Sequence, residues 1–310
     1  MPLELVREQA AGAVHTVVLG RAKAVSLGGE TAMPFLYEEG VMPHPPLVAL
    51  EIDDCEPPEI PEALAKVYGA ALKDPAAWAR VCVEENGAPV LAIRLQSIHP
   101  DVRNAPAETA VAAVEKIRKA VDVPLVIVGC GDDERDNEVL PKVSQAMKGE
   151  NCLLGIATQT NYKTLAATCL ADGHAIIAES PIDINIAKQV NILITDMGFD
   201  PARIVMHTTA AAMGYGMEYV YSIMERSRLA AFIGDRMLAM PFVIFIGDEV
   251  WKVKEAREFG EVQGVNWEIA SSVAMVQAGA DLVVMRHPHA ARTMMRYITG
   301  LAQQKRKDGQ

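Results

Sequence analysis

The chain has 310 residues, half of them hydrophobic and 22% charged, which is ample for a buried core and allows one large domain or two ordinary ones. Forty acidic against 29 basic residues leave a net charge of −11, which argues against a nucleic-acid or anionic-membrane binder. No apolar run reaches membrane-spanning length and the N-terminal stretch MPLELVREQA lacks a signal-peptide core, so a cytoplasmic location is expected.

Residues 1–45 differ from the rest of the chain. AVHTVVLG and KAVSLGG read as two strands around a turn, and PHPP (Pro43–Pro46) then punctuates the chain, which predicts an N-terminal β-hairpin extension. After it comes a rhythm of short apolar runs: LVALEID (47–53), VLAIRLQ (90–96), PLVIVGCG (124–131), CLLGIAT (152–158), HAIIAES (174–180), RIVMHTT (203–209), FVIFIGD (242–248) and DLVVMRH (281–287). They are too continuous for half-exposed strands and fit parallel strands buried on both faces. Helical spacing fills the gaps. Ala110, Val114, Ile117 and Val121 follow Asn104 and Pro106; Ile186, Val190, Leu193 and Met197 follow Asp183, with Gly198 as a stop; Met294, Ile298 and Leu301 share a last face.

Eight strand–helix units of this size predict an α/β fold, a (β/α)₈ TIM barrel over 46–303, with 304–310 a solvated basic tail. A doubly wound sheet would want a Gly-rich dinucleotide fingerprint after its first strand, and EIDDCEPPEI has none.

In such barrels function lies at the C-terminal strand ends. No lysine lies in any of the eight runs, which removes Schiff-base chemistry. The five cysteines, Cys55, Cys82, Cys130, Cys152 and Cys169, form no CxxC pair, so buried thiols are expected rather than an iron–sulfur or zinc site. His287 and His289 flank Pro288 with no further ligand nearby and read as surface or capping residues. Asp53 with Asp54, and Glu179, are candidate acid–base groups, although carboxylates at strand ends as often cap helices or bond neighbouring loops. His207 is a candidate acid, base or ligand with no partner apparent in sequence. GCGD (129–132) is a weak phosphate-loop signal and equally a plain reversal. The stretch HTTAAAMGYGMEY (207–219) is small and has no charged residue before Glu218. The glycines beside Tyr215 favour an exposed tip.

Taken together, VPLVIVGCGDDERDNEVL, GENCLLGIATQTNYKTLAATC, SPIDINIAKQVNILI, MGYGMEYVYSIMERSRLAA and AGADLVVMRHP make the chain resemble the small subunit of the corrinoid iron–sulfur protein, the acetyl-CoA decarbonylase/synthase delta subunit family, from about residue 47 to 302. The resemblance implies a TIM barrel paired with a large corrinoid iron–sulfur subunit, which itself carries the iron–sulfur cluster and holds a cobamide against the barrel top. It implies methyl transfer from methyltetrahydrofolate, through a separate methyltetrahydrofolate–corrinoid methyltransferase, to acetyl-CoA synthase in the anaerobic acetyl-CoA pathway. A reductive activator is a further candidate partner. Thr208, Thr209, Met213, Gly214 and Tyr215 then become candidate cobamide contacts, since a small uncharged loop suits a corrin face and hydroxyls suit its rim amides. Gly131, Asn161, Asp183 and Asn185 are the other candidate cofactor contacts. No catalytic residue, metal ligand or iron–sulfur cluster is assigned to this chain. The same loop also suits a mere tight passage between strand and helix. The rival reading is a pterin-dependent TIM-barrel methyltransferase acting itself on methyltetrahydrofolate, with Asp132, Asn161, Asp183 and Asn185 holding the pterin. Capping would account for at least one of these.

Overall fold

The computed structural model describes residues 8–36 and 38–308. The N-terminal stretch 1–7, Gly309, Gln310 and the side chains of the basic tail lie outside the described residues. An antiparallel hairpin of β1 (Val17–Leu19) and β2 (Val25–Leu27) comes first. Then follow β3 (Leu47–Asp53), β4 (Val90–Arg94), β5 (Leu125–Val128), β6 (Leu153–Ala157), β7 (Ala175–Glu179), β8 (Ile204–His207), β9 (Val243–Ile244) and β10 (Leu282–Met285). All eight are parallel, in the order β8-β7-β6-β5-β4-β3-β10-β9, and a parallel bridge from Met206 to Phe242 closes β8 onto β9. Each expected run contains one strand, and the result is the expected (β/α)₈ barrel with a hairpin ahead of it.

Helices wrap the outside: α1 (Glu62–Tyr68), α2 (Pro75–Arg80), α3 (Ala107–Ala120), α4 (Asp133–Ala146), α5 (Tyr162–Asp172), α6 (Ile184–Asp196), α7 (Met217–Phe232), α8 (Ile246–Val250), α9 (Lys254–Glu258), α10 (Glu261–Gln277) and α11 (Pro288–Asp308). The spacing read for α3 is the one observed, with Ala107, Ala110, Val114 and Ile117 buried, Glu108 in the first turn and Arg118 and Lys119 in the last. In α6 the buried stripe is Ala187, Val190, Asn191 and Ile194, turned from the apolar spacing expected. Asn191 earns its inward place by donating from Nδ2 to the Met237 carbonyl at 2.8 Å, which a hydrophobicity pattern does not register. The other departure is FVIFIGD. Its strand is two residues long, and Ile246–Asp248 already belong to α8, so Asp248 arrives on a helix rather than on a strand end.

The hairpin explains which barrel end is free. Val17, Leu19 and Leu27 are buried in one cluster with the inward residues Ala49, Val90, Val126, Leu153, Val205 and Leu282. The Gly20 N–H donates to Asn151 (2.8 Å) and the His15 N–H to Ala239 (2.6 Å), residues ahead of β6 and β9. The hairpin therefore plugs the N-terminal end, leaving the C-terminal strand ends as the mouth. Nearby, the fully buried Arg228 of α7 ties this end together. Its guanidinium donates to the Gly279 and Met240 carbonyls (2.7 and 2.9 Å), pairs with Glu30 at 3.1 Å and with Asp281, and lies 4.7 Å from the Phe242 ring centre. Burial, with the nearby Glu30 charge, pushes the Asp281 carboxyl up, against the pull of Arg228.

Candidate functional site at the barrel mouth

The sequence HTTAAAMGYG forms the passage from β8 to α7. Its backbone turns because Gly214 and Gly216 take φ of +83° and +94°, and the Tyr215 N–H donates to the Ala212 carbonyl at 2.9 Å. α10 pins the loop from behind: Ser271 Oγ accepts from the Met213 N–H (3.1 Å), and Trp267 Nε1 donates to the Met213 carbonyl (3.0 Å). In front lies a cleft of about 750 Å³, lined by Thr209, Ala210, Ala211, Ala212 and Tyr215, by Pro181 and Ile182 after β7, and by Glu249 of α8 and 252–254 beyond it. Thr209 and Ile182 both hold left-handed backbones, φ +61° and +46°, which side chains other than glycine seldom adopt. Tyr215 is 51% exposed, the exposed tip its glycine flanks favour, and its hydroxyl donates to Glu255 Oε2 at 2.8 Å. Ile182, Tyr219, Phe259 and Val262 are further exposed apolar side chains carried by elements that begin or end at the mouth.

The other candidates divide. Thr208 is fully buried, its hydroxyl is unpartnered, and it does not line the cleft; nor do Met213 and Gly214. Asp183 caps α6, its Oδ1 accepting from the Asn185 and Ile186 N–H groups at 2.8 and 3.2 Å, and Asn185 is exposed beside it. Asn161 belongs to another group, after β6: its Oδ1 accepts from Thr158 N–H (2.7 Å), and its Nδ2 donates to Asp133 (3.2 Å) and to the Ile156 carbonyl (3.1 Å). Asp132 caps α4 through Arg135 N–H at 2.9 Å. Gly131 has φ +93°, and a β-carbon placed on it would meet no atom within 4 Å. The GCGD turn is filled from within. Asp136 of α4 accepts the Cys130 and Gly131 N–H groups at 2.8 and 3.1 Å, and a β-carbon on Gly129 would stand 2.1 Å from that carboxyl. The N–H groups a phosphate would need are thus already taken.

Asp53, Asp54 and Glu179 do not form one acid–base set. Asp54 bonds the β4 end, accepting from Ser97 N–H at 2.8 Å and from its hydroxyl. Asp53 faces Arg286, and Glu179 faces His207, with Nε2 3.7 Å from Oε1. The His207 Nδ1 lies 3.0 Å from the Val243 carbonyl, so Nδ1 carries the proton and donates. Burial pushes this imidazole down to about 4, against the Val243 hydrogen bond, and pushes Glu179 up, helped by the Asp133 charge. His287 is buried rather than on the surface, stacked on Trp251, and its Nδ1 accepts the His289 N–H at 3.2 Å as a cap. The five cysteines are free and buried, and burial pushes each thiol up to about 12, which leaves them unreactive.

Sequence reasoning passed over a charged layer just below the mouth. Arg94 Nε donates to Glu51 Oε1 at 2.7 Å, Arg286 reaches Asp53 at 3.4 Å, and Asp248 lies 3.9 and 3.7 Å from the two guanidiniums. Burial raises Asp53 to about 6 against the pull of Arg286. Burial works to raise Asp248 too, but Arg94, Lys252 and Arg286 outweigh it and hold it below the usual range. The signal was present in LVALEID, VLAIRLQ and DLVVMRH: a charge inside a run buried on both faces must meet an opposite charge inside the barrel.

The family model for the CO dehydrogenase/acetyl-CoA synthase delta subunit matches residues 16–304. The acetyl-CoA decarbonylase/synthase complex subunit delta of Methanopyrus kandleri is 33% identical over 305 residues, covering 96% of this chain and 76% of that relative. The subunit of the same name from Methanothermobacter thermautotrophicus is 35% identical over 292 residues, covering 91% and 74%. Among solved structures, dihydropteroate synthase from Thermus thermophilus superposes with a TM-score of 0.58 at 14% identity, over 92% of this chain and 99% of that one. The Xanthomonas albilineans enzyme gives 0.57 at 14%, over 84% and 95%. At that identity the likeness is one of fold, a TIM barrel. The match along nearly the whole chain carries the closer relationship: the protein belongs to the CO dehydrogenase/acetyl-CoA synthase delta subunit family.

Proposed function

We infer that the chain is the small subunit of a corrinoid iron–sulfur methyl carrier, and that its barrel mouth covers a cobamide held by a large subunit. The cobalt of that group would carry the methyl between a methyltetrahydrofolate-dependent methyltransferase and acetyl-CoA synthase. The observation that supports this best is the cleft beside the β8–α7 loop. One side of its lining carries three alanines, Thr209 and the exposed Ile182 and Tyr215, and the other carries Glu249, Lys252 and Lys254. The alanine side offers a broad apolar ring close contact, and the Glu249 carboxylate opposite is paired with Lys252 at 2.9 Å. Membership of a family whose relatives are named as complex subunits supports a partner chain. Among the described residues no helix is long and apolar enough to cross a membrane.

The reading as a pterin methyltransferase is less well supported. Of its four groups, Asp132 and Asp183 serve as helix caps, and Asn161 is already bonded to Thr158, Ile156 and Asp133. The test is to express the chain alone and with a cobamide-loaded large subunit. Alone, it should show no cluster absorbance and retain little cobamide. Together, the two should co-elute as a heterodimer burying on the order of 2,000 Å². Saturable binding of methyltetrahydrofolate by the isolated chain, with no co-elution, would favour the methyltransferase instead.

A further inference from the structure

The charged layer has two loose ends. Glu51, whose side chain is 1% exposed, uses Oε1 on Arg94 and leaves Oε2, an acceptor, without a partner. Arg286 leaves Nε, a donor, without one. Buried polar atoms in this state are uncommon and costly, and they mark places where a further group belongs. The two residues occupy neighbouring positions: Leu50 is registered with Met285 across β3 and β10, and Glu51 and Arg286 are the next residues on each strand. They are complementary in sense, yet Glu51 is held by its 2.7 Å bond to Arg94, while the Arg286 head group is drawn towards Asp53 and Asp248.

Charge selects what fits. An anion would meet three carboxylates, and a cation two guanidiniums. Among the described residues no group of three or more His, Cys, Asp or Glu side chains is placed to hold a metal ion. A neutral group bearing a donor beside an acceptor suits both orphans, its N–H to Glu51 Oε2 and its carbonyl from Arg286 Nε–H. A primary amide is the smallest such group, and a bond to an ionised partner at each end makes both contacts strong. Glu51 itself is 1% exposed, so an amide reaches its Oε2 from above only as the covering side chains of Arg94, Arg286 and Asp248, which keep 16, 15 and 22% of their surface exposed, move aside. The Arg286 contacts, at 3.4 and 3.7 Å, are long enough for its guanidinium to turn towards an incoming group.

We propose that Glu51 and Arg286 form a primary-amide site in the floor of the barrel mouth, and that the amide it takes is a rim arm of a corrin; the second part rests on the function inferred above.

The test is Arg Nε–Hε NMR on the full chain, with the Arg286 signal assigned by Arg286→Lys. Propionamide should shift that signal saturably and propionate should not. Glu51→Gln should weaken the propionamide Kd about ten-fold, the remaining Arg signals reporting that the fold is kept. Dicyanocobinamide, which carries amide arms, should shift the same signal, and a corrin heptamethyl ester should not. The absence of a saturable propionamide shift would overturn the site, leaving the orphans to water. A propionamide shift with none from dicyanocobinamide would keep the amide site and overturn its assignment to a corrin arm. In backbone amide spectra of the same sample, dicyanocobinamide perturbing only residues 209–215 would support the inferred function and overturn this site.

Discussion

His207 illustrates how a side chain can be structural and pH-sensitive at once. It is buried against the Phe245 ring, its Nδ1–H serves the Val243 carbonyl, and its basicity is pushed down to about 4. The unfolded chain takes up a proton near 6.5 that the fold refuses until about 4. Between those values the unfolded state binds more protons, so this residue makes stability rise with pH, by about 3 kcal/mol across the window. Asp53, and Glu268 of α10, which is fully buried and accepts from the Trp251 indole at 3.0 Å, are raised by burial to about 6 and 7 and act in the opposite sense: the fold holds their protons longer, so their effect makes stability fall as pH climbs to those values. The two sets partly cancel in the wild type. The comparison with His207→Gln isolates the histidine: in urea titrations from pH 7 to pH 4, wild type should lose about 3 kcal/mol relative to the variant. Tyr215 lies at the other extreme, on the surface. Tyr215→Glu should leave the melting temperature unchanged, because the ring is half exposed between two glycines. In the cobamide-loaded heterodimer it should move the cobalt reduction potential negative, since a carboxylate near the ring opposes an electron-rich metal. Spectroelectrochemical titration reads this, and an unchanged potential would make the loop only a turn.

At the level of elements, the hairpin stabilises the barrel from below. Leu19 is fully buried against the lowest inward layer. Leu19→Ala should therefore cost about 2–5 kcal/mol by denaturant unfolding while leaving mouth ligands unaffected, as its cavity opens at the far end. The strands were legible because a strand covered on both faces is written as an unbroken apolar run, as in LVIV of β5. The α6 face is not legible in this way, because Asn191 hides its burial behind a hydrogen bond made 46 residues away. Nor is the short length of β9, because FVIFIG stays apolar while its backbone turns helical at Ile246. For the site, the β8–α7 loop announced itself through its small residues. What lines its cleft did not, because Pro181, Glu249 and 252–254 come from separate stretches that only the closed barrel brings together. The charged layer was hidden differently: Glu51 and Asp53 share one run while their partners lie in two others, and the pairing of Glu51 with Arg94 and of Arg286 with Asp53 exists only across neighbouring strands.

For the whole molecule, the closure between β8 and β9 sets where the barrel can breathe. Elsewhere in the barrel neighbouring strands pair over two to five residues, but here the sheet is joined by the bridge from Met206 to Phe242, and the His207 ring adds a stitch to Val243. A barrel with one short seam has a preferred line of opening. The Met206 amide, which bonds Pro241 at 2.8 Å, should exchange with deuterium at least about ten-fold faster than that of Ile127 in mid-sheet. The seam runs up to the β8–α7 loop and the start of α8, so slack released along it reaches the cleft wall directly. The mouth can then widen on this one side, while the opposite wall, where β3, β4 and β5 pair over five and four residues, stays zipped.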